Sequence, residues 1–297
     1  MLQKAKSRLK NEMQPVWHRH WQGLPMRPHR GQGYVQGMLP RDPLAPHKQR
    51  TEENAVMITF YTNRTTLGYI MKAVILAGGF GKRLKPLTDQ RPKPMIEVLN
   101  VPIIEWQVRW LRKFGIKDCV LCVGYMRGQI FDHIGDGSKF GAKIKYSVEE
   151  EPLGTGGALK NAQDLLSDQE SFLMLNGDVL TELDPNRLNL AGSHTIALVP
   201  LRSPFGVVEL DSDSKVLGFV EKPEILDRWI NAGVYHFTRE VFRYLPENGN
   251  IEVTALPALA KEGKLKAVKY QNVFWRSIDS HKDIEEAAKE MQAVRMS

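Results

Sequence analysis

From residue 71 onward the apolar positions recur with two periods. Residues 73–76 (AVIL) form a short, partly β-branched apolar run that reads as a buried strand. In residues 101–114 (VPIIEWQVRWLRKF), Ile104, Val108 and Leu111 fall at i, i+4 and i+7, which predicts a helix, and Gly115 supplies its stop. Residues 118–125 (DCVLCVGY) then read as a strand, 127–135 (RGQIFDHIG) as a short helix and 143–149 (KIKYSVE) as a strand. Residues 157–166 (GALKNAQDLL) read as a helix and 171–179 (SFLMLNGDV) as another strand. This alternation predicts βαβ units, hence an α/β fold with a mostly parallel central sheet and helices on both faces.

The texture changes at Thr195. Residues 195–201, 206–211, 215–222 and 229–237 read as strands with little helix between them, which predicts a mixed or antiparallel extension over the sheet's C-terminal edge. The chain closes on a strand, 273–279 (VFWRSID), and a helix, 280–294. In that helix Ile284, Ala287, Ala288, Met291 and Val294 form one apolar stripe. Ser280 and Asp283 fit a capping box, so Asp283 is read as a cap rather than as chemistry.

Between the first strand and the first helix lies AVILAGGFGKRLKPLTDQRPKPM, residues 73–95. A strand that runs into glycines and then into cations suits a polyphosphate. Glycine lets backbone N–H groups approach and cradle anionic oxygens, and lysine and arginine neutralise the remaining charge. The P-loop pattern ending at Gly81-Lys82 fails, because Leu76 and Arg83 stand where it needs Gly and Ser or Thr. The dinucleotide pattern starting at Gly79 fails at Leu84, where it needs a small residue.

Composition adds one point. With 42% hydrophobic and 25% charged residues the chain is ordinary for a globular protein, and no run approaches a membrane-spanning length. The net charge of +7 suggests an acidic partner until it is located. Residues 1–70 carry 11 of the 41 Lys+Arg but 4 of the 34 acids, which leaves 30 of each sign in residues 71–297. The first 70 residues have no sustained period and are rich in Pro, Gly, Gln and His. They are expected to be a disordered basic extension, or sequence upstream of a start at Met71, and nucleic acid is a partner only through them. Cys119 and Cys122 are the two cysteines. Within a strand, residues three apart face opposite ways, so both are expected to be buried packing in a reducing, cytoplasmic setting.

The pattern G-G-x-G-x-R-L-x-P-L-T followed by K-P resembles, nearly letter for letter, the sugar-1-phosphate nucleotidylyltransferases. It comes nearest their mannose-1-phosphate guanylyltransferase-like and archaeal-type members. The resemblance runs from Met71 to about Val294. It implies a Rossmann-like nucleotidyltransferase fold with a sugar-binding extension, 71–297 as one catalytic domain, and an Mg²⁺-dependent reaction of an NTP with a sugar 1-phosphate. It also implies site residues. Leu76, Ala77, Gly78, Gly79 and Gly81 would hold the nucleotide, with Arg83 and Lys93 catalytic. Glu149 would meet the nucleobase beside Gly154. A carboxylate accepts hydrogen bonds and donates none, so it favours an edge rich in N–H donors, and GTP with mannose 1-phosphate is the expected pair. UTP, dTTP or CTP with another sugar phosphate stays open, as does a non-catalytic regulator that binds NDP-sugar.

For the metal, the resemblance implies Asp178 of L-N-G-D and a second acid. Most relatives place that acid two residues after Trp, where this chain has Ser277. The pattern W-R-S-I-D, similar to cytidylyl members, moves the role to Asp279. Asn176, Gly206, Glu221, Lys222 and Asn231 would bind the sugar phosphate. The expected partners are these small molecules, no membrane and, as an option left open, a second copy of the chain.

Overall fold

A computed structural model describes residues 71–190 and 192–296, with side chains to residue 293. The expectations for residues 1–70 therefore lie outside the described residues. The central sheet has seven strands in the order β12-β8-β11-β6-β1-β4-β5. At its middle, β1 (Lys72–Ala77) pairs in parallel with β4 (Asp118–Val123) on one side and β6 (Ser171–Asn176) on the other. Beyond β4 lies β5 (Lys143–Val148), also parallel. The remaining strands are β11 (Glu224–Thr238), β8 (His194–Arg202) and β12 (Leu265–Lys269). Within that half β11 runs antiparallel to both neighbours, while β12 is parallel to β8.

Helices cover both faces because alternate side chains of each strand feed different cores. Ala73, Ile75, Cys119, Leu121, Leu173 and Leu175 pack with Ile104, Val108 and Leu111 of α1 (Ile103–Lys113). On that face Ile130 and Ile134 of α2 (Arg127–Ile134) join the same core. Val74, Val120, Cys122, Phe172 and Met174 face the other way. They meet Ala158 and Leu159 of α3 (Gly154–Asn161) and Leu256 and Leu259 of α4 (Ala255–Lys261). Cys119 and Cys122 thus sit in opposite cores, buried as thiols, and burial pushes the Cys119 thiol up to about 12. No helix among the described residues is long and apolar enough to cross a membrane.

The four strands after Thr195 form the antiparallel part expected of them, divided between two sheets. β8 and β11 belong to the main sheet, because Ala232–Phe237 of β11 are buried throughout and need a neighbour on each side. The hairpin of β9 (Val207–Leu210) and β10 (Val216–Val220) stands apart as its own two-stranded sheet. The helix expected over 157–166 is also divided. It starts earlier, at Gly154, ends at Asn161, and is followed by a tighter 3-10 turn at Gln163–Leu166. Leu159, Ala162 and Leu166 stay buried across that change, so the same face remains on the sheet.

A third, smaller core fixes what surrounds the sheet's C-terminal edge. Two short strands, β2 (Glu97–Val98) and β3 (Val101–Pro102), pair with each other. Another pair joins β7 (Val179–Thr181) to β13 (Trp275–Ser277), antiparallel. Leu84, Val98, Ile103, Leu180 and Ile278 pack together with Ala287 of the last helix, α5 (His281–Met296). The C-terminal helix is thereby tied to the loop that follows β1.

Candidate active site

The site forms where β1 and β6 end. In parallel α/β sheets ligands gather at the carboxyl ends of strands, since the loops there diverge and expose backbone donors. β1 passes into Gly78–Gly81, with Gly81 in the left-handed region at φ 61°. A Cβ on Gly81 would lie 2.8 Å from Thr88 Cγ2 and 2.9 Å from Lys93 Cβ, so the loop closes tightly here. The buried Thr88 donates its hydroxyl to Gly81 O at 3.0 Å, and Leu84 N donates to the same carbonyl at 2.9 Å. Gly79 has nothing within 4 Å of a would-be Cβ, so its open side faces the cleft. Arg83 and Lys93 each sit on a short 3-10 turn, Lys82–Leu84 and Lys93–Met95, the second preset by Pro92 and Pro94.

The cleft has a volume of about 380 Å³. Leu76, Gly78, Gly79, Gly81, Arg83, Lys93, Glu149, Gly154, Asn176, Asp178 and Asp279 all line it. At its floor one ammonium joins two carboxylates. Lys93 Nζ donates to Asp178 Oδ2 at 2.7 Å and to Asp279 Oδ1 at 2.8 Å, and Arg83 reaches the same Asp279 oxygen at 2.9 Å. Asp178 and Asp279 are far apart in sequence. They meet because β7 follows Asp178 directly and pairs with β13, after which Ile278 N donates to Asp178 O at 2.9 Å. The capping box holds Asp279 from behind. Ser280 Oγ donates to Asp283 Oδ2 at 2.8 Å, and that same oxygen accepts from the Asp279 N–H at 3.0 Å. Burial alone would raise the Asp279 pKa. The hydrogen bond from Lys93 and the charges of Lys93 and Arg83 outweigh it and hold the carboxyl below its usual range. Ser277 donates to Asp279 Oδ2 at 3.1 Å.

Glu149 is 7% exposed at the end of β5, and burial raises its pKa against a partly offsetting bond from Leu153 N–H at 3.2 Å. Its other oxygen lies where a Cβ on Gly78 would stand, so glycine at 78 makes room for Glu149. The glycines of α3 have a different duty from the ligand approach their pattern suggests. Thr155 N, Gly156 N and Gly157 N are taken by Asn250 Oδ1 and Gly249 O, at 2.8–3.2 Å. A Cβ at 157 would lie 2.5 Å from Glu247 O. The first donors of this helix are therefore spent on the 246–250 loop. Gly154, at φ 72°, still lines the cleft beside Thr155 and Asn250.

The structure separates the remaining predicted residues. Ala77 is buried at the end of β1 and does not line the cleft. Gly206, Glu221 and Lys222 flank the β9–β10 hairpin outside it, where Lys222 is exposed with Glu221 at 3.8 Å. Asn231 also lies off the cleft wall, but its amide donates to the buried Tyr235 hydroxyl at 2.6 Å, which the Asn176 side chain also contacts. Sequence reasoning missed Thr155, Asn250 and Phe80, which line the cleft. The turn-rich run PENGN around Asn250 was the available signal.

The two carboxylates fit a hard divalent cation. Magnesium takes one or two carboxylates and completes its shell with water and phosphate oxygens, and no set of three or more protein ligands occurs among the described residues. A site at which one ammonium already touches both carboxylates is a site at which one cation can do so.

Residues 72–294 match the family "Nucleotidyl transferase". The chain is 38% identical over 225 residues to the mannose-1-phosphate guanylyltransferase catalytic subunit beta of Dictyostelium discoideum, covering 72% of this chain and 62% of that protein. It is 37% identical over 224 residues to the bifunctional protein GlmU of Methanococcus maripaludis, covering 72% and 53%. The crystal structure of HddC from Yersinia pseudotuberculosis complexed with GMP-PN superposes with a TM-score of 0.58 at 28% identity, covering 74% of this chain and 99% of that one. The match thus spans under two thirds of the length of either curated relative.

Proposed function

The chain belongs to the nucleotidyl transferase family, and from that premise we propose that it moves a nucleotidyl group from GTP to mannose 1-phosphate, giving GDP-mannose and pyrophosphate. The observation that carries this reading is the shared Lys93–Asp178–Asp279 contact beneath a glycine-lined cleft. We take residues 71–297 to be one catalytic domain.

In the proposed reaction an oxygen of the sugar phosphate attacks the α-phosphorus. The α–β bond breaks, and its electron pair leaves on pyrophosphate. The nucleophile is already an anion, so no general base is needed, and the obstacle is repulsion between two phosphates. This chain's residues answer that obstacle by alignment and by charge. Gly78, Gly79 and Gly81 offer backbone donors to the triphosphate. Arg83, 76% exposed at the cleft mouth, stands to meet the leaving pyrophosphate, and Lys93 the α-phosphate. Asp178 and Asp279 would hold Mg²⁺, which when bound supplies positive charge shared between the two phosphates. Asn176, which lines the cleft, and Asn231, hydrogen-bonded to Tyr235, are assigned to the sugar. Gly206, Glu221 and Lys222 join them if the β9–β10 hairpin folds over the cleft.

The choice of GTP rests on Glu149, which accepts from N–H donors such as those of guanine, and is supported by the likeness to a guanylyltransferase and to a solved structure in complex with GMP-PN. The test is pyrophosphate release by the purified protein with Mg²⁺, across four NTPs and a panel of hexose 1-phosphates. Turnover with GTP and mannose 1-phosphate is expected. Preference for UTP, dTTP or CTP would overturn the base assignment alone. Silence with NDP-sugar still bound would replace the enzyme by a regulatory binder.

A further inference from the structure

α1 buries two polar side chains, Glu105, which is paired with Arg109 and His133, and Gln107. Gln107 lies between Ile103, Ile104, Val108 and Leu111, all fully buried, and is itself 2% exposed. Its side-chain amide donates to Asn176 O at 2.8 Å and to Val179 O at 2.9 Å. Those carbonyls bracket Gly177-Asp178, the turn between β6 and β7. Two acceptors on one side fix the orientation of the amide, because only its NH₂ end can face both. The other end, Gln107 Oε1, is buried with no hydrogen-bond partner among the described residues.

The same turn is held from two other sides. A Cβ on Gly177 would overlap the Leu76 carbonyl, so the turn is wedged against the end of β1. Asp178 O accepts from Ile278 N on the β13 side. Gln107 supplies the support from beneath the sheet edge, where α1 packs on β7. An apolar residue of the same length would fill the space with no stranded oxygen, so packing alone does not call for an amide here. The two donors do: without them Asn176 O and Val179 O lose these bonds on either side of the proposed metal ligand.

We propose that Gln107 is a positioning residue. It fixes the backbone of the turn that presents Asp178, and through it the distance between Asp178 and Asp279, without touching substrate. The proposal rests on the nucleotidyltransferase reading for its catalytic consequence but not for its structural one.

The test compares the full-length protein with Q107M, which keeps length and loses both donors, and with Q107E, which keeps an oxygen and lacks the amide. Three quantities are measured: hydrogen exchange of the amides in residues 176–181, binding of Mn²⁺ alone, and Mg²⁺-dependent turnover. In Q107M, exchange over 176–181 should quicken while β4 keeps its protection. Mn²⁺ affinity or kcat should fall by about 10–100-fold, the range for residues that orient a metal ligand, with KM for the sugar phosphate little changed. Q107E should be at least as impaired. Wild-type exchange, Mn²⁺ binding and kcat in folded Q107M would overturn the proposal, as would exchange raised evenly across the whole sheet. If Q107M fails to fold, Q107E decides by the same three readouts. If the wild-type protein shows no turnover with any substrate pair, the functional reading falls, and exchange and Mn²⁺ binding still decide the role of Gln107.

Discussion

Removing the Lys93 ammonium gives the sharpest test of the site. In Lys93→Met the side chain keeps its length and loses its charge, leaving Asp178 and Asp279 facing each other without their shared donor. The three side chains are 13%, 26% and 29% exposed, so solvent only partly screens the loss. Each charge-assisted hydrogen bond is worth roughly 1.5–3 kcal/mol, and Arg83 still reaches Asp279, so a total near the low end, about 2–3 kcal/mol, is expected. For a domain of this size each kcal/mol moves Tm by roughly 2–4 °C, which puts the drop near 4–12 °C in EDTA. A divalent cation should then reverse it. With the ammonium gone, the two carboxylates should bind Mn²⁺ or Mg²⁺ more readily, and any ligand that binds only the folded state raises its stability. Differential scanning calorimetry of both proteins, with EDTA and with 10-fold steps of Mn²⁺, reads both effects. The cation-induced rise should be larger in Lys93→Met than in the wild type, although its turnover should fall by at least about 100-fold. Equal Tm in EDTA, or the same cation response in both proteins, would show that Lys93 does not hold the two carboxylates. A cycle with Asp178→Asn adds a control, since the effect of Lys93→Met should shrink once one carboxylate is neutral.

Asp178→Asn should abolish most turnover and, by weakening one of the two Lys93 bonds, lower Tm by less than Lys93→Met does; near-normal activity would remove Asp178 from the metal assignment. Gly157→Ala should cost about 1–3 kcal/mol in chemical denaturation, because its Cβ would press on Glu247 O at 2.5 Å, and should raise KM for the nucleotide as the 246–250 loop shifts. His236 is buried, and desolvation lowers its pKa to about 4. The unfolded chain then binds a proton that the folded chain refuses, so stability is full above about pH 6.5 and falls as pH drops towards 4, by about 3 kcal/mol in all. His236→Gln should flatten that part of the stability profile, measured by urea titration. Asp279 has the pattern of a paired carboxylate: its pKa is depressed, so its contribution is present above the ordinary carboxylate range and is lost as pH falls through its own lower value. A protein whose stability rises on acidification would contradict both assignments.

What the sequence determined by itself is local. The strand that runs into Gly78-Gly79-Phe80-Gly81 and the cations of Arg83 and Lys93 are adjacent in the chain, so pattern alone picked out the glycine-rich loop that lines the cleft. Period also placed Cys119 and Cys122 on opposite faces, and Ser280 with Asp283 at a helix start. The remainder depended on contacts between distant segments. Asp178 and Asp279 become one site through the pairing of β7 with β13 and the shared Lys93, an arrangement that no spacing encodes. β8 and β11 read as an extension because their alternation says nothing about which sheet accepts them; burial on both faces of β11 decided it. The glycines after Leu153 look like a ligand turn in sequence, yet their closest neighbour is the 246–250 loop, about ninety residues on. Gln107 gave no signal at all, since one polar residue in a helical stripe acquires its meaning only from the two carbonyls that the fold sets opposite it. Backbone conformation follows from neighbours along the chain, whereas the charge, burial and hydrogen bonds of a site follow from neighbours in space.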